Sequence, residues 1–324
     1  MWLVTGATGH LGNVLVRKLL KRGEKVRTMI LPGECRESIS DLNIEATEGD
    51  VLDVDSIIQS MRGVRGVFHL AGVISIMPGA NPLMRKVNVE GTKNILQAAM
   101  EKGIKKLIYT SSIHAIQRVE KGMIDENVPY DMNNPYGAYD RSKAEATLEV
   151  LNASRSGLDA IVTCPTGVIG PYDFRRSMMG ALIHDAATAK PTLYVDGAYD
   201  FVDVRDVANG LIAAAEDGKR GESYILSGQK ISVRYLLETV REITGRNFFQ
   251  MKIPFNLAKL AALFTPIYYQ LANATPRFTP YSLEVLQSNS NISHAKATRE
   301  LGYSPRLLPE SIRDTVKWFL DKKK

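Results

Sequence analysis

Short apolar runs alternate with segments of helical apolar spacing through the first half of this 324-residue chain. Residues 2–4 read as a buried strand, and 14–20 carry apolar side chains at helical spacing. A second run, 25–31, is halted by Pro32-Gly33; a third, 44–47, precedes a short helical segment at 54–61. The fourth run, 66–72, ends in small residues and is followed by an amphipathic helix at 87–100. The fifth, 106–112, ends in hydroxyls. A long polar loop, 113–135, leads into a helix that starts near Tyr136 and reaches about Ala153, and 158–164 form a sixth run. Strands alternating with helices in this order predict an α/β fold with a doubly wound parallel sheet.

Composition narrows the class. Hydrophobic content of 44% and charged content of 23% are those of an ordinary globular protein with room for a large core. The net charge of +6 is mild and partly due to the terminal Lys322-Lys323-Lys324, a solvated end rather than a nucleic-acid surface. Cys35 and Cys164 are the two cysteines; they have no redox or metal spacing, so no disulfide framework and no metal site are expected. A glycine-rich turn stands where a charged leader would be, and a cytoplasmic protein is expected. The most apolar late stretch, 254–272, is interrupted by Lys259 and Pro266, which argues against a transmembrane segment. It is read in three ways: a lid over an apolar substrate, a membrane-surface contact, or core packing.

The candidate chemistry begins at the first strand. Gly6, Gly9 and Gly12 separate it from the helix at 14–20. A strand, a glycine turn and a helix N-terminus present free N–H groups and positive dipole to an anion such as a pyrophosphate. The sequence Thr5-Gly6-Ala7-Thr8-Gly9-His10-Leu11-Gly12 resembles the extended branch of the short-chain dehydrogenase/reductase superfamily, the NAD-dependent epimerase/dehydratase family. Later motifs carry the resemblance across the chain. They are His69-Leu70-Ala71-Gly72, the Val-Asn-x-x-Gly-Thr-x-Asn pattern at 87–94, Pro165 to Pro171, the Phe-Val-x-Val-x-Asp-Val-Ala pattern at 201–208, and the ending at 301–318.

The resemblance implies a Rossmann sheet over residues 1–165 with a return segment near 195–215, and a smaller C-terminal α+β substrate-binding domain over 166–324. It implies cofactor contacts from Gly6, Thr8, Gly9, His10, Leu11 and Gly12, from Asp50 and Val51 beside the adenine, from Leu70, Ala71 and Gly72, and from Pro165, Gly167 and Val168. Asn88 is expected to support the central sheet. Relatives choose between NAD and NADP at the end of the second strand, where this chain has Ile30 and Leu31. Arg27 and Arg36 are near and no carboxylate is well placed by spacing, so NADP is favoured and NAD remains open.

Tyr139 and Lys143 are four apart and share a helix face. A neighbouring ammonium favours the phenolate and is expected to pull the phenol toward a pKa useful for acid–base chemistry. The resemblance makes Tyr139 the acid/base, Lys143 its activator and a cofactor ligand, and Ser112 the oxyanion donor. One Tyr-x-x-x-Lys is expected by chance in such a chain, so the order of the motifs gives the pair its weight.

Pro165-Thr166-Gly167-Val168 looks more like the dihydroflavonol reductase and 3β-hydroxysteroid dehydrogenase branch than the nucleotide-sugar enzymes, which usually carry Asn there. The implied activity is hydride exchange between a nicotinamide cofactor and a hydrophobic carbonyl or alcohol. The alternative is a nucleotide-sugar epimerase or dehydratase that retains NAD, with Arg175 and Arg176 as its best support. A non-catalytic dinucleotide-binding regulator is the third reading. The partner is a small-molecule substrate; a homodimer is left open.

Overall fold

The computed structural model describes residues 1–79, 81–247, 249–271 and 279–322, of which 266–271 only as helical backbone. The strands are β1 (Trp2–Thr5), β2 (Val26–Ile30), β3 (Glu45–Glu48), β4 (Gly66–His69), β5 (Lys106–Thr110) and β6 (Ala160–Pro165), then β7 (Gly167–Ile169), β8 (Thr192–Val195), β9 (Ala198–Asp203), β10 (Ser223–Leu226), β11 (Gln229–Ser232) and β12 (Gln250–Ile253). The helices are α1 (His10–Lys21), α2 (Val54–Ser60), α3 (Pro82–Arg85), α4 (Gly91–Glu101), α5 (Ala138–Arg155) and α6 (Met178–Ala187), then α7 (Val204–Asp217), α8 (Val233–Thr244), α9 (Phe255–Leu271), α10 (Pro280–Gln287), α11 (Ala295–Leu301) and α12 (Leu308–Asp321).

Seven strands form one wholly parallel sheet in the order β10-β6-β5-β4-β1-β2-β3. Alternation along the strands divides the core. Leu3, Val67, Leu107 and Val162 face one side, with the apolar residues of α4 and α5. Trp2, Val4, Phe68, Ile108 and Ile161 face the other, with α1, α7 and α11. Both faces are buried, which is why these strands read as continuous apolar runs rather than as alternating ones. Reversal of strand order between β1 and β4 opens a crevice at the carboxyl ends of the strands. The glycine turn after β1 lies there.

The seventh strand comes later than the expected return. Residues 192–203 pair elsewhere: β9 lies between β7 and β11 in a three-stranded sheet, and β8 pairs with β12. The chain returns through α7, which packs on α1, and β10 then pairs with β6. The motif at 201–208 serves this return. Asp203 caps α7 by accepting the Arg205 amide at 2.7 Å, and Asp206 accepts Arg306 through both oxygens at 2.8 and 2.9 Å, tying the chain's end to α7.

Two further expectations are revised. The helix expected from residue 87 begins earlier, at Pro82 in α3, and passes through a π-turn over Lys86–Glu90 into α4. The polar loop 113–135 is also folded inward, with Ile113, Ile116 and Ile124 in the core and β-bridges from Ile116 to Tyr130 and from Ile124 to Ile292.

Candidate active site

The turn after β1 is built on backbone that only glycine allows. Gly6 has φ +71°, and a Cβ there would lie 2.7 Å from the Ala71 nitrogen; a Cβ at Gly12 would lie 2.1 Å from the Gly6 carbonyl oxygen. Gly9 is the N-cap of α1 and supplies no side-chain cap. The amides of His10, Leu11 and Gly12 therefore have no intrahelical acceptor, and the helix dipole adds positive potential beside them. This donor set fits a pyrophosphate. His10 reaches the other way, its Nε2 lying 3.0 Å from the Pro171 carbonyl oxygen.

Behind the turn, Thr5 Oγ1 accepts the Leu70 and Ala71 amides at 3.2 and 3.1 Å and lies 2.8 Å from His69 Nδ1. Thr92 gives its single hydroxyl proton to the Asn88 carbonyl at 2.6 Å, so His69 Nε2, 3.0 Å from Thr92 Oγ1, must be the donor. His69 Nδ1 then accepts from Thr5. This chain of bonds fixes one neutral tautomer. Burial, followed by the charge of Lys143, pushes the His69 pKa down to about 3.

At the far end of the turn a carboxylate overlooked in the sequence is in place. Glu34, just past Pro32-Gly33, accepts the Thr8 hydroxyl at 2.6 Å and Arg175 at 2.6 Å; Arg175 also donates to Thr8 Oγ1 at 2.9 Å. The turn at Pro32-Gly33 brings Glu34 back to Thr8, which strand spacing alone does not show. Arg175 thus meets the glycine turn and not a separate substrate site. Arg36 pairs with Glu48 at 2.6 Å. Arg27 is committed elsewhere, to Glu45 and to the carbonyls of Ser60 and Arg62 after α2. Asp50 accepts the Leu52 amide at 2.9 Å, and Val51 is buried against Gly91.

Ser112, Tyr139 and Lys143 converge at the end of β5. Ser111 points into α5, bonding Thr147 at 2.6 Å, which leaves Ser112 as the hydroxyl on the Tyr139 side. Burial pushes the Tyr139 phenol up to about 12, with a hydrogen bond from Ser112 acting in the opposite direction. The ammonium of Lys143 is not on that phenol: its Nζ donates to the Thr110 carbonyl at 2.7 Å and Tyr109 Oη at 3.2 Å. Burial lowers the Lys143 pKa to about 8. The expected downward pull on Tyr139 is accordingly absent from this arrangement, because burial dominates and the cation is held one residue pair away.

Tyr139 is framed by residues from four segments. Asp140, fully buried, accepts Tyr281 Oη at 2.6 Å and Arg118 at 3.2 Å, and the Arg118 guanidinium lies 4.0 Å from the centre of the Tyr136 ring. His114 has its ring 6.3 Å from that of Tyr139 and its Nε2 3.0 Å from Tyr199 Oη. Asn88 supports the site differently from the expectation. Its amide oxygen accepts the Val73 amide at 2.7 Å, and its nitrogen donates to the Val73 carbonyl and to Ser142, pinning the loop after β4 to α5.

Pro165 closes β6 beside Leu226 of β10. A Cβ at Gly167 would lie 2.8 Å from the Phe201 ring, so β7 and β9 approach closely here, with Val168 of β7 paired to Val202 of β9. Thr166 donates to Asp200 at 2.6 Å. Cys164 is buried and its thiol lies 3.7 Å from Tyr130 Oη.

The family model of the NAD-dependent epimerase/dehydratase family matches residues 2–227, from the first residue of β1 to just past β10. The chain belongs to that family. It is an enzyme of an NAD-dependent family. The "Sterol demethylase protein B" of Methylococcus capsulatus is 35% identical over 322 residues, covering 99% of this chain and 98% of the relative. The 3 beta-hydroxysteroid dehydrogenase/Delta 5-->4-isomerase of Mycobacterium tuberculosis is 29% identical, covering 94% and 85%. The crystal structure of gox2253 superposes with a TM-score of 0.85 at 34% identity, covering 99% of this chain and 98% of that one. The family match is therefore continuous through the sheet, and the relatives extend it over the C-terminal segments. No helix among the described residues is long and apolar enough to cross a membrane.

Proposed function

We propose that this enzyme exchanges hydride between a nicotinamide coenzyme, NADP in preference to NAD, and a hydrophobic carbonyl or alcohol of steroid- or dihydroflavonol-like character. The observation that carries the reading is the environment of Tyr139. Tyr139 is half-buried beside Ser112, with the His114 ring 6.3 Å from its own, and His114 in turn packs on the rings of Tyr199 and Tyr281, an aromatic setting suited to a flat apolar substrate rather than to a diphosphate. The steroid-related relatives support the same class.

The coenzyme, when bound, gives or takes hydride at its nicotinamide. The chain's own residues do the rest. Gly6, Gly9 and Gly12 leave room for the pyrophosphate, and the amides of His10 to Gly12 hold it. Ser112 donates to the substrate oxygen as negative charge develops there. Tyr139, protonated at neutral pH, delivers its proton to that oxygen in the reducing direction. Lys143, its ammonium held on the Thr110 carbonyl and Tyr109 Oη rather than on the phenol, serves as a coenzyme ligand. The Tyr139 phenol, its pKa raised by burial, rests protonated at neutral pH and can serve as the acid of carbonyl reduction.

Arg175 supports the coenzyme reading. Its bonds to Glu34 and Thr8 bring it to the dinucleotide turn, whereas a nucleotide-sugar enzyme would need that cation at the substrate.

The test is coenzyme oxidation followed at 340 nm with purified protein, NADPH or NADH, and a panel of steroid, flavonoid-like and aryl ketones. Consumption that disappears in Tyr139→Phe is expected. Tightly retained coenzyme with turnover of a nucleotide sugar would overturn the reading in favour of an epimerase. Intact biological activity in Tyr139→Phe would favour a binding regulator.

A further inference from the structure

Helix α9 is turned inside out. In α12 the large apolar residues Leu308, Ile312, Val316 and Phe319 face the core, as in most surface helices. In α9 the inward residues are the small Ala258 and Ala262, which pack on Val195 and Leu283. The large ones point out: Leu257, Leu260, Leu263 and Phe264 are each more than half exposed. At 100° per residue these four fall within a single broad arc opposite the two alanines. Core packing, one of the three readings of this stretch, explains the alanines and leaves the leucines unexplained. The side chains after Thr265 and residue 272 lie outside the described residues.

The adjoining sheet continues this surface. Val195 and Ile253 touch the inner face of α9. Two residues back on the same sheet face, Leu193 and Met251 are paired across β8 and β12, and both are exposed. Large apolar side chains are thus exposed both on α9 and on the sheet face against which it packs.

Charge distinguishes what could cover it. Between Glu242 and Glu284 the sequence has no Asp or Glu, while the described cations Arg246, Lys252 and Lys259 fall inside that span. Lys259 is exposed on α9 itself, and Lys252 lies on β12, where it also meets Asp196 at 2.7 Å. A surface that exposes leucine and phenylalanine, carries lysines at its margin and has its neighbouring carboxylate, Asp196, paired with Lys252 is complementary to an anionic bilayer. Apolar residues enter the acyl boundary while the cations stay with the headgroups. Another copy of the same surface would oppose cation to cation.

The geometry points to α9 and the Leu193–Met251 pair as a peripheral docking surface for an anionic lipid membrane, on which the enzyme sits without crossing it. This inference does not depend on the identity of the substrate.

The test is co-sedimentation of the full chain with vesicles of phosphatidylcholine alone and of phosphatidylcholine with an equal share of phosphatidylglycerol. Binding is expected with the anionic vesicles, weakened in 0.5 M salt as the headgroup attraction is screened. K259Q should lower the partition coefficient about fivefold, the effect of one cation at such a surface. L260E/F264E should abolish binding, whereas L83E, at an exposed leucine of α3, should not. Far-UV circular dichroism identifies any variant that fails to fold, in which case K259Q and the salt series decide. Failure to bind anionic vesicles would overturn the proposal. So would a dimer, measured by light scattering, that L260E/F264E converts to monomer in the absence of vesicle binding. Neither result bears on the coenzyme assay.

Discussion

Arg175 and Glu34 meet over the glycine turn: one nitrogen of the guanidinium lies 2.6 Å from the carboxylate and 2.9 Å from Thr8 Oγ1. The contact joins the loop after β7 to the loop after β2. Glu34 is suited to accepting ribose hydroxyls and Arg175 to holding a 2′-phosphate. The pair is therefore where the proposed NADP preference can be tested. Arg175→Ala should lower kcat/KM for NADPH by about 10- to 100-fold, the value of a charge-assisted hydrogen bond, and change that for NADH little. Glu34→Gln should free the arginine and raise the NADPH to NADH ratio. Steady-state kinetics with both coenzymes check this, and an unchanged ratio in both variants would reduce the pair to a surface link.

Tyr139→Phe should lower kcat about 10²- to 10⁴-fold while leaving the coenzyme Kd, read by fluorescence titration, nearly unchanged. The pH profile adds a second readout. The phenol remains protonated up to about pH 12, so the alkaline limb should come from Lys143. Its ammonium is present below about pH 8 and lost above it. Carbonyl reduction should therefore be level through neutral pH and decline above about 8.

Asp140 holds Arg118 and Tyr281 from two other segments onto the first turn of α5. Asp140→Asn leaves a guanidinium without its buried countercharge and should destabilise the protein by about 3 kcal/mol or more. The double variant Asp140→Leu with Arg118→Met should recover part of this loss, because it removes both charges. Denaturant titration of the single and double variants checks the order.

His69 predicts a pH-dependent stability. Its folded pKa is near 3, below the 6.5 of an unperturbed imidazole, so between those values the unfolded chain binds the extra proton. The stabilisation is complete above pH 6.5 and lost as the pH falls through that window, by up to ~1.4 kcal/mol per unit. His69→Gln keeps hydrogen-bonding groups but does not titrate. Its denaturation midpoint should depend less on pH between 6.5 and 4 than that of the parent.

Much of this architecture was legible because local chemistry and global fold agree. The apolar runs at 2–4, 66–72 and 106–112 became adjacent strands, and the glycines fell between β1 and α1 as the dipole argument requires. The ordering of Ser112, Tyr139 and Lys143 was legible too. Their electrostatics were not, since burial of Tyr139 and the capture of Lys143 by Thr110 depend on residues distant in sequence. Glu34 was missed for a related reason: a tight turn at Gly33 undoes the strand spacing that would have located it. The outward leucines of α9 have the same average hydropathy as buried ones, and only the fold shows which side they face.

The position of β10 affects how the protein is made. β6 is complete at Pro165, yet its outer neighbour ends at Leu226, with β7, β8 and β9 between them in the chain. While the ribosome is producing that intervening stretch, β6 has hydrogen-bonding partners on one side and an open apolar edge on the other, the kind of edge that recruits strands from other chains. A fragment ending near residue 165 would retain that edge permanently. Synthesis must pass Leu226 before this edge of the nascent sheet is covered, so the interval between β6 and β10 leaves it open to pairing with strands of other chains.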